Sequence, residues 1–113
     1  MSDLASARRF ALSLPGATEE PHFDMSSFRV RGKIFATVPP DGEHLHVFVD
    51  QLETEAAVAD DARAFEPLRW GRQTRGLRVT LAVAPDERVK EILEESWRRK
   101  APKRLVAEYD GGT

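Results

Sequence analysis

A run of arginines in the second half of the chain has the residue types and spacing for phosphate chemistry. Five arginines lie within sixteen residues, against one carboxylate, Glu66: they are Arg63, Arg69, Arg72, Arg75 and Arg78. A guanidinium group donates paired hydrogen bonds to a phosphate, and such contacts position a protein on a nucleic-acid backbone. The residues predicted to contact nucleic acid are Arg69, Arg72, Arg75 and Arg78, with Lys103 and Arg104 assisting.

A solvent-exposed loop would carry the same arginines, so this second interpretation stays open. Residues 1–62 contain 5 Lys/Arg against 11 Asp/Glu, whereas residues 63–104 contain 12 against 6. This asymmetry can give one surface a positive potential, and Arg98, Arg99 and Lys100 could extend it. The net charge of −2 is, however, unlike that of a general DNA-binding domain, which is basic. DNA is therefore one hypothesis for the partner.

Three histidines raise the question of a metal site. His44 and His46 lie two residues apart on a predicted strand, so they point to the same face. With His22 as a third ligand they could hold a metal ion. No cysteine or carboxylate at ligand spacing supports this, so the sequence predicts surface histidines, no metal and no other cofactor.

Catalytic motifs are missing from the sequence. It contains no nucleophile elbow, no P-loop and no dinucleotide fingerprint. Its paired carboxylates are direct neighbours, and neighbouring side chains point in different directions. The sequence therefore predicts a protein without enzymatic activity.

Three aromatic residues suggest a different kind of surface. Phe35 and Phe48 are out of phase with the aliphatic residues of their predicted strands. They could form, with Trp70, a surface for a protein partner, a small ligand or a second copy of the chain. Two alternatives remain: a sheet covered on both faces, and a structural role for Trp70. The second functional hypothesis is thus a binding adaptor, a monomer or a homodimer.

Local patterns predict the elements that must position these residues. Apolar spacing of three and four predicts helices over residues 4–14, 50–64 and 85–100. Alternating patterns predict strands over residues 27–31, 33–38, 44–49 and 77–83, with a weak fifth at 68–70, and residues 17–24 read as an irregular connection. Neighbouring strands pair antiparallel and helices cover one face. The predicted fold is α+β, a two-layer sandwich with an antiparallel sheet of four to five strands and three helices.

Composition is typical of one globular domain. The chain has 113 residues, 41% hydrophobic and 32% charged, and no cysteine, which excludes disulfides. No apolar run reaches the roughly 18 residues of a membrane span, and the N-terminal residues lack the apolar core of a signal peptide. We expect one domain over 1–113, a flexible tail at 105–113, a cytoplasmic location and no membrane partner.

Several segments together resemble the MmcQ/YjbR family. They are residues 12–16 (LSLPG) with the acidic 18–20, the strand 28–36 (FRVRGKIFA), and the closing segments 94–97 (EESW) and 101–105 (APKRL). The order of elements over nearly the whole chain agrees with this. The resemblance implies a double-wing fold and DNA binding, and it supplies no catalytic residues. The family often has a histidine- or lysine-bearing segment before its penultimate strand; the corresponding residues here are 68–76, whose arginines are consistent with an electropositive loop.

Overall fold

The structure is a computed structural model that describes residues 2–111, apart from the side chain of Trp70. Four helices and six strands follow one another along the described chain. In order they are α1 (Leu4–Ser13), β1 (Ala17–His22), β2 (Met25–Val30), β3 (Lys33–Val38), β4 (His44–Val47), α2 (Gln51–Asp60), β5 (Phe65–Trp70), β6 (Gln73–Thr80), α3 (Asp86–Lys100) and α4 (Lys103–Tyr109).

All six strands form one antiparallel sheet, in the order β1-β2-β3-β4-β6-β5. One row of partners crosses its centre: Phe28, Ala36, Val47 and Leu77 lie opposite one another, and each is fully buried. These residues share a face because opposed residues in a sheet project to the same side. We call this side the inner face and the opposite side the outer face.

The inner face is covered by the helices. Helix α3 contributes five buried residues to the core, which are Val89, Ile92, Leu93, Ser96 and Trp97. It contacts β3, β4 and α1, whereas α2 contacts β5 and β6. The indole nitrogen of Trp97 donates to the carbonyl of Pro15, 3.0 Å away, so the turn after α1 is attached to the last third of α3. The result is the predicted two-layer α+β sandwich.

Capping residues explain where the first two helices begin. The Asp3 side chain accepts a hydrogen bond from the Ser6 amide, and the Asp50 side chain accepts one from the Glu53 amide. The Glu53 carboxylate does not reach back to the cap, because it pairs with Arg88 of α3 at 3.3 Å. Helix α2 ends at Asp60, before the predicted residue 64, and Phe65 is the first residue of β5.

The numbers of strands and helices differ from those predicted. Strand β1 was predicted as irregular because it is an edge strand with a polar sequence and Pro21, which edge strands tolerate. Helix α4 lies where we predicted a flexible tail from residue 105. Its Leu105 side chain is buried and packs beside Gly16 and Val30. A seven-residue helix with one buried residue leaves little periodic signal in a sequence.

Two hairpins project from the same end of the sheet. Strands β3 and β6 are separated by β4 and run in the same direction, since each is antiparallel to β4. The turn at Arg31–Gly32 precedes the N-terminus of β3, and the turn at Gly71–Arg72 precedes the N-terminus of β6. Because β3 and β6 run in the same direction, both turns lie at the same end of the sheet. The β2–β3 turn has both central residues at positive φ, 52° and 80°, as a two-residue type I′ turn requires.

Within residues 2–111, no helix is both long enough and apolar enough to cross a membrane.

Candidate functional site

The β5–β6 hairpin presents three of the predicted phosphate-binding arginines. Trp70 pairs with Gln73, which leaves Gly71 and Arg72 as a two-residue turn, and Gly71 has a φ of 62°. Arg69, Arg72 and Arg75 are exposed. In the part of the chain that the structure describes, none of the three has a carboxylate within 4.0 Å. Their guanidinium groups are therefore available to an external anion.

Arg75 occupies a special position in this hairpin. Leu68 pairs with Gly76 and Arg69 pairs with Thr74, so Arg75 is an extra residue without a cross-strand partner. This β-bulge increases the local twist and redirects the side chain. Next to Arg75, a Cβ on Gly76 would lie 2.2 Å from the carbonyl oxygen of Val47. Only glycine at position 76 therefore allows β6 to lie this close to β4.

Arg78, also predicted to contact nucleic acid, lies apart from these three arginines. It lies in the middle of β6 on the outer face, opposite both His46 and Glu66. Its guanidinium is 3.4 Å from a Glu66 carboxylate oxygen and 3.8 Å from one of Asp41. Its positive charge is therefore already compensated within the protein.

Lys103 and Arg104 are likewise separated from the hairpin. They begin α4, which packs by Leu105 beside Gly16 and Val30, at the β1–β2 side of the sheet. Strand β5 forms the opposite edge of that sheet. Arg104 also pairs with Glu108 one helical turn away, at 3.8 Å. The two residues are exposed, but the structure does not bring them to the arginines of the β5–β6 hairpin.

Other basic residues do lie at the hairpin end of the sheet. Arg31 and Lys33 flank the β2–β3 turn and are exposed. Arg99 lies in the last turn of α3, and its guanidinium donates to the carbonyl of Phe48, 3.3 Å away. Arg98 is different, because its two terminal nitrogens bind both carboxylate oxygens of Asp110. The sequence predicts the two strands that this turn joins, over residues 27–31 and 33–38, but not that the sheet register places the turn at the same end of the sheet as the β5–β6 hairpin.

An open groove of ≈610 Å³ connects several of these groups. Its basic lining residues are Arg75, Arg99 and Lys100, and its apolar ones include Phe48 and Leu68. His22 and His46 also line it, from strands β1 and β4. Side chains from distant parts of the sequence thus meet here, which local patterns do not reveal.

The predicted aromatic surface exists only in part. Phe35 is fully buried and packs beside Phe28, with ring centroids 6.4 Å apart, so it is not available to a partner. The physical reason is a register shift in the β2–β3 ladder: Phe28 pairs with Ala36 and Arg29 with Ile34, so Phe35 is an extra residue that breaks the alternation. Phe48 is half-buried in the groove. The side chain of Trp70 lies outside the described residues.

His44 and His46, but not His22, form a hydrogen-bonded polar cluster with Asp41 and Arg78 on the outer face. His44 Nδ1 lies 2.8 Å from an Asp41 carboxylate oxygen, and His46 Nε2 lies 3.0 Å from Arg78 Nη1. Burial, followed by the positive charge of Arg78, lowers the pKa of His46. Within residues 2–111, no group of three His, Asp or Glu side chains is arranged to hold a metal ion.

Comparison with known proteins assigns the fold and the family. A solved structure, that of Deinococcus radiodurans protein DR2400 with a DUF419 domain, superposes with a TM-score of 0.73. The two chains are 22% identical over 86% of this chain and 77% of the other, a likeness that concerns the fold. No curated protein matches the chain. The family model YjbR matches residues 12–99, which is most of the sequence, so the chain belongs to the YjbR family.

Proposed function

We propose that this protein binds nucleic acid through phosphate contacts made at the hairpin end of its sheet. The observation that carries the proposal is the state of Arg69 and Arg72. Both are exposed on a projecting hairpin, and neither has a carboxylate partner among the described residues. Arginines held in this way bind phosphate oxygens without first giving up an internal ion pair.

The second hairpin enlarges the same surface. Arg31 and Lys33 lie on the β2–β3 turn, and two strand spacings separate β3 from β6. The centres of the two hairpins, one between β2 and β3 and the other between β6 and β5, lie three spacings apart, or about 14 Å, which is comparable to the roughly 12 Å width of the major groove of B-DNA. Hairpins at this separation suit phosphates on either side of a groove.

The charge of the remaining surface restricts the contact to this end. The protein carries a net charge of −2, so a phosphate backbone is repelled over much of the molecule. Binding then depends on a few arginines and is sensitive to the loss of any one of them. In this proposal the protein acts by binding rather than by catalysis.

Fluorescence anisotropy of a labelled duplex, titrated at several salt concentrations, tests the proposal. The test variant is Arg69→Ala/Arg72→Ala. The matched control is Arg9→Ala/Arg63→Ala, which removes the same charge from exposed arginines of α1 and of the segment before β5. Each phosphate contact contributes about −0.9 to the slope of log affinity against log salt.

We expect the hairpin variant to bind more weakly and to have a slope shallower by about 1.8, whereas the control keeps the slope of the unmodified protein. Equal effects of the two variants would mean that net charge alone governs binding. That result, or no binding by the unmodified protein at low salt, would overturn the proposal.

A further inference from the structure

The groove beside the β5–β6 hairpin is lined by positively charged residues and by apolar residues. Arg75, Arg99 and Lys100 supply positive charge, while Phe48 and Leu68 supply aromatic and aliphatic surface. Its ≈610 Å³ lies within the range of small-molecule sites, roughly 300–1,000 Å³. A ligand that suits both parts has an anionic group attached to a flat apolar group.

The acidic residue in the lining does not oppose such a ligand strongly. This residue is Asp50, whose carboxylate accepts the Glu53 amide at 2.8 Å as the N-cap of α2. The positive end of the helix dipole offsets part of its charge. The groove therefore keeps a net positive lining.

His46 adds a hydrogen-bond donor to the same lining. Arg78 donates to His46 Nε2, because a guanidinium has no acceptor, so the hydrogen of the neutral ring lies on Nδ1. Nδ1 has no hydrogen-bond partner among residues 2–111. An oxygen or ring nitrogen of a ligand can accept from it.

We infer that this groove binds one unpaired nucleotide of a nucleic-acid strand, with the base against Phe48 and the phosphate at Arg75, Arg99 and Lys100. The inference rests on the proposed function, since Arg75 belongs to both the hairpin and the groove. A base in a duplex is paired and stacked, and so cannot enter a site of this size without leaving the helix. The protein therefore prefers single strands, or duplexes with an unpaired base, over regular duplexes.

Arg99 gives the groove a defined geometry. Its guanidinium donates to the carbonyl of Phe48, and the Ser96 hydroxyl on the same helix also contacts that carbonyl, at 3.0 Å. The backbone of the aromatic residue and the cationic end of α3 are thus held together. A base stacked on Phe48 would have its phosphate within reach of α3.

Anisotropy with a labelled oligo-dT and a labelled duplex of equal length, at the same salt, separates this inference from the proposed function. The test variants are Phe48→Leu, which keeps apolar bulk but removes the aromatic face, and Lys100→Ala. The controls are Phe10→Leu, at a half-buried aromatic residue of α1, and Arg9→Ala, at an exposed basic residue of the same helix.

We expect oligo-dT to bind at least about tenfold more tightly than the duplex, because an unpaired base can stack on an aromatic side chain. Phe48→Leu should remove most of that difference and leave duplex affinity unchanged, and Phe10→Leu should have no effect. In a titration with oligo-dT followed by NMR, the amides of residues 46–50 should shift.

Equal affinity for the two nucleic acids, with no effect of Phe48→Leu, would overturn the groove inference. The arginine-hairpin proposal would still stand if the Arg69→Ala/Arg72→Ala variant then showed the reduced salt dependence. If the protein bound neither oligo-dT nor the duplex at low salt, the groove inference and the proposed function would both be overturned. A Phe48→Leu variant with a normal unfolding transition shows that any loss of affinity does not come from misfolding.

Discussion

The hydroxyl oxygen of Ser96 in α3 lies 2.5 Å from the carbonyl oxygen of Phe35 in β3. The same hydroxyl lies 3.0 Å from the carbonyl oxygen of Phe48, just after β4. A hydroxyl has one hydrogen, so Ser96 donates to one carbonyl at a time. This fully buried serine joins the helix layer to the sheet at the place where the sheet forms the groove wall.

Replacing Ser96 by alanine should lower the free energy of unfolding by about 1–2 kcal/mol, because a buried carbonyl loses its donor. Urea denaturation monitored by tryptophan fluorescence measures this change. Ser13→Ala is the control, since the Ser13 hydroxyl donates to the Phe10 carbonyl on the exposed surface. A loss no larger than that of Ser13→Ala would show that Ser96 does not join the two layers.

Gly76→Ala should be among the most destabilising single substitutions in the protein. Its Cβ would lie 2.2 Å from the Val47 carbonyl oxygen and 3.0 Å from Phe48 Cα, and both are backbone atoms of β4 and its continuation. Separating β6 from β4 to relieve this overlap should cost about 3 kcal/mol or more.

Gly71→Ala is the matched control for that substitution. Gly71 also has a positive φ, 62°, but nothing lies within 4 Å of its Cβ position. We expect Gly71→Ala to lower the free energy of unfolding by about 1 kcal/mol, through backbone strain alone. Equal shifts of the denaturation midpoint for the two variants would mean that strain, and not the approach of β6 to β4, makes glycine necessary at position 76.

Stability should decrease as the pH falls from about 7 toward 5, and His46 should account for part of the decrease. Burial lowers the pKa of His46, and the charge of Arg78 adds to this, against weaker opposing effects of Asp41 and Glu66. Between the ordinary value near 6.5 and the lower folded value, the unfolded chain binds more protons. Stability therefore falls with decreasing pH in that window.

Denaturant titrations at several pH values, on the unmodified protein and on His46→Gln, test this. The variant should show a flatter profile between pH 6.5 and 5. The pKa values of Asp41 and Asp86 are lowered by their hydrogen bonds, so these carboxylates titrate well below that window. Parallel profiles for the two proteins would contradict the role of His46.

Leu105→Ala should destabilise the protein by about 2 kcal/mol, because the side chain is buried beside Gly16 and Val30. The control is Leu52→Ala in α2, where the leucine is 79% exposed and the loss should stay below about 0.5 kcal/mol. If the chain from residue 105 onward were a flexible tail, both variants would have the stability of the unmodified protein.

The sequence by itself determined the elements with strong local periodicity. The apolar spacing of α1 and α3 and the alternation in β4 predicted what the structure contains, because these signals depend on nearby residues. The caps Asp3 and Asp50 likewise act locally, since each accepts the amide of the residue three positions later. The α+β class followed from the order of these elements, and the segments that resemble the MmcQ/YjbR family indicated the family that the YjbR family model matches.

Only the tertiary structure decided which side chains share a surface. A register shift in the β2–β3 ladder buries Phe35, cross-strand neighbours compensate the charge of Arg78, and α4 holds Lys103 and Arg104 at the other side of the sheet. Each outcome depends on a partner far away in sequence. For the same reason the sheet register, and not the spacing of the arginines, places Arg31 and Lys33 at the end of the sheet where Arg69 and Arg72 project.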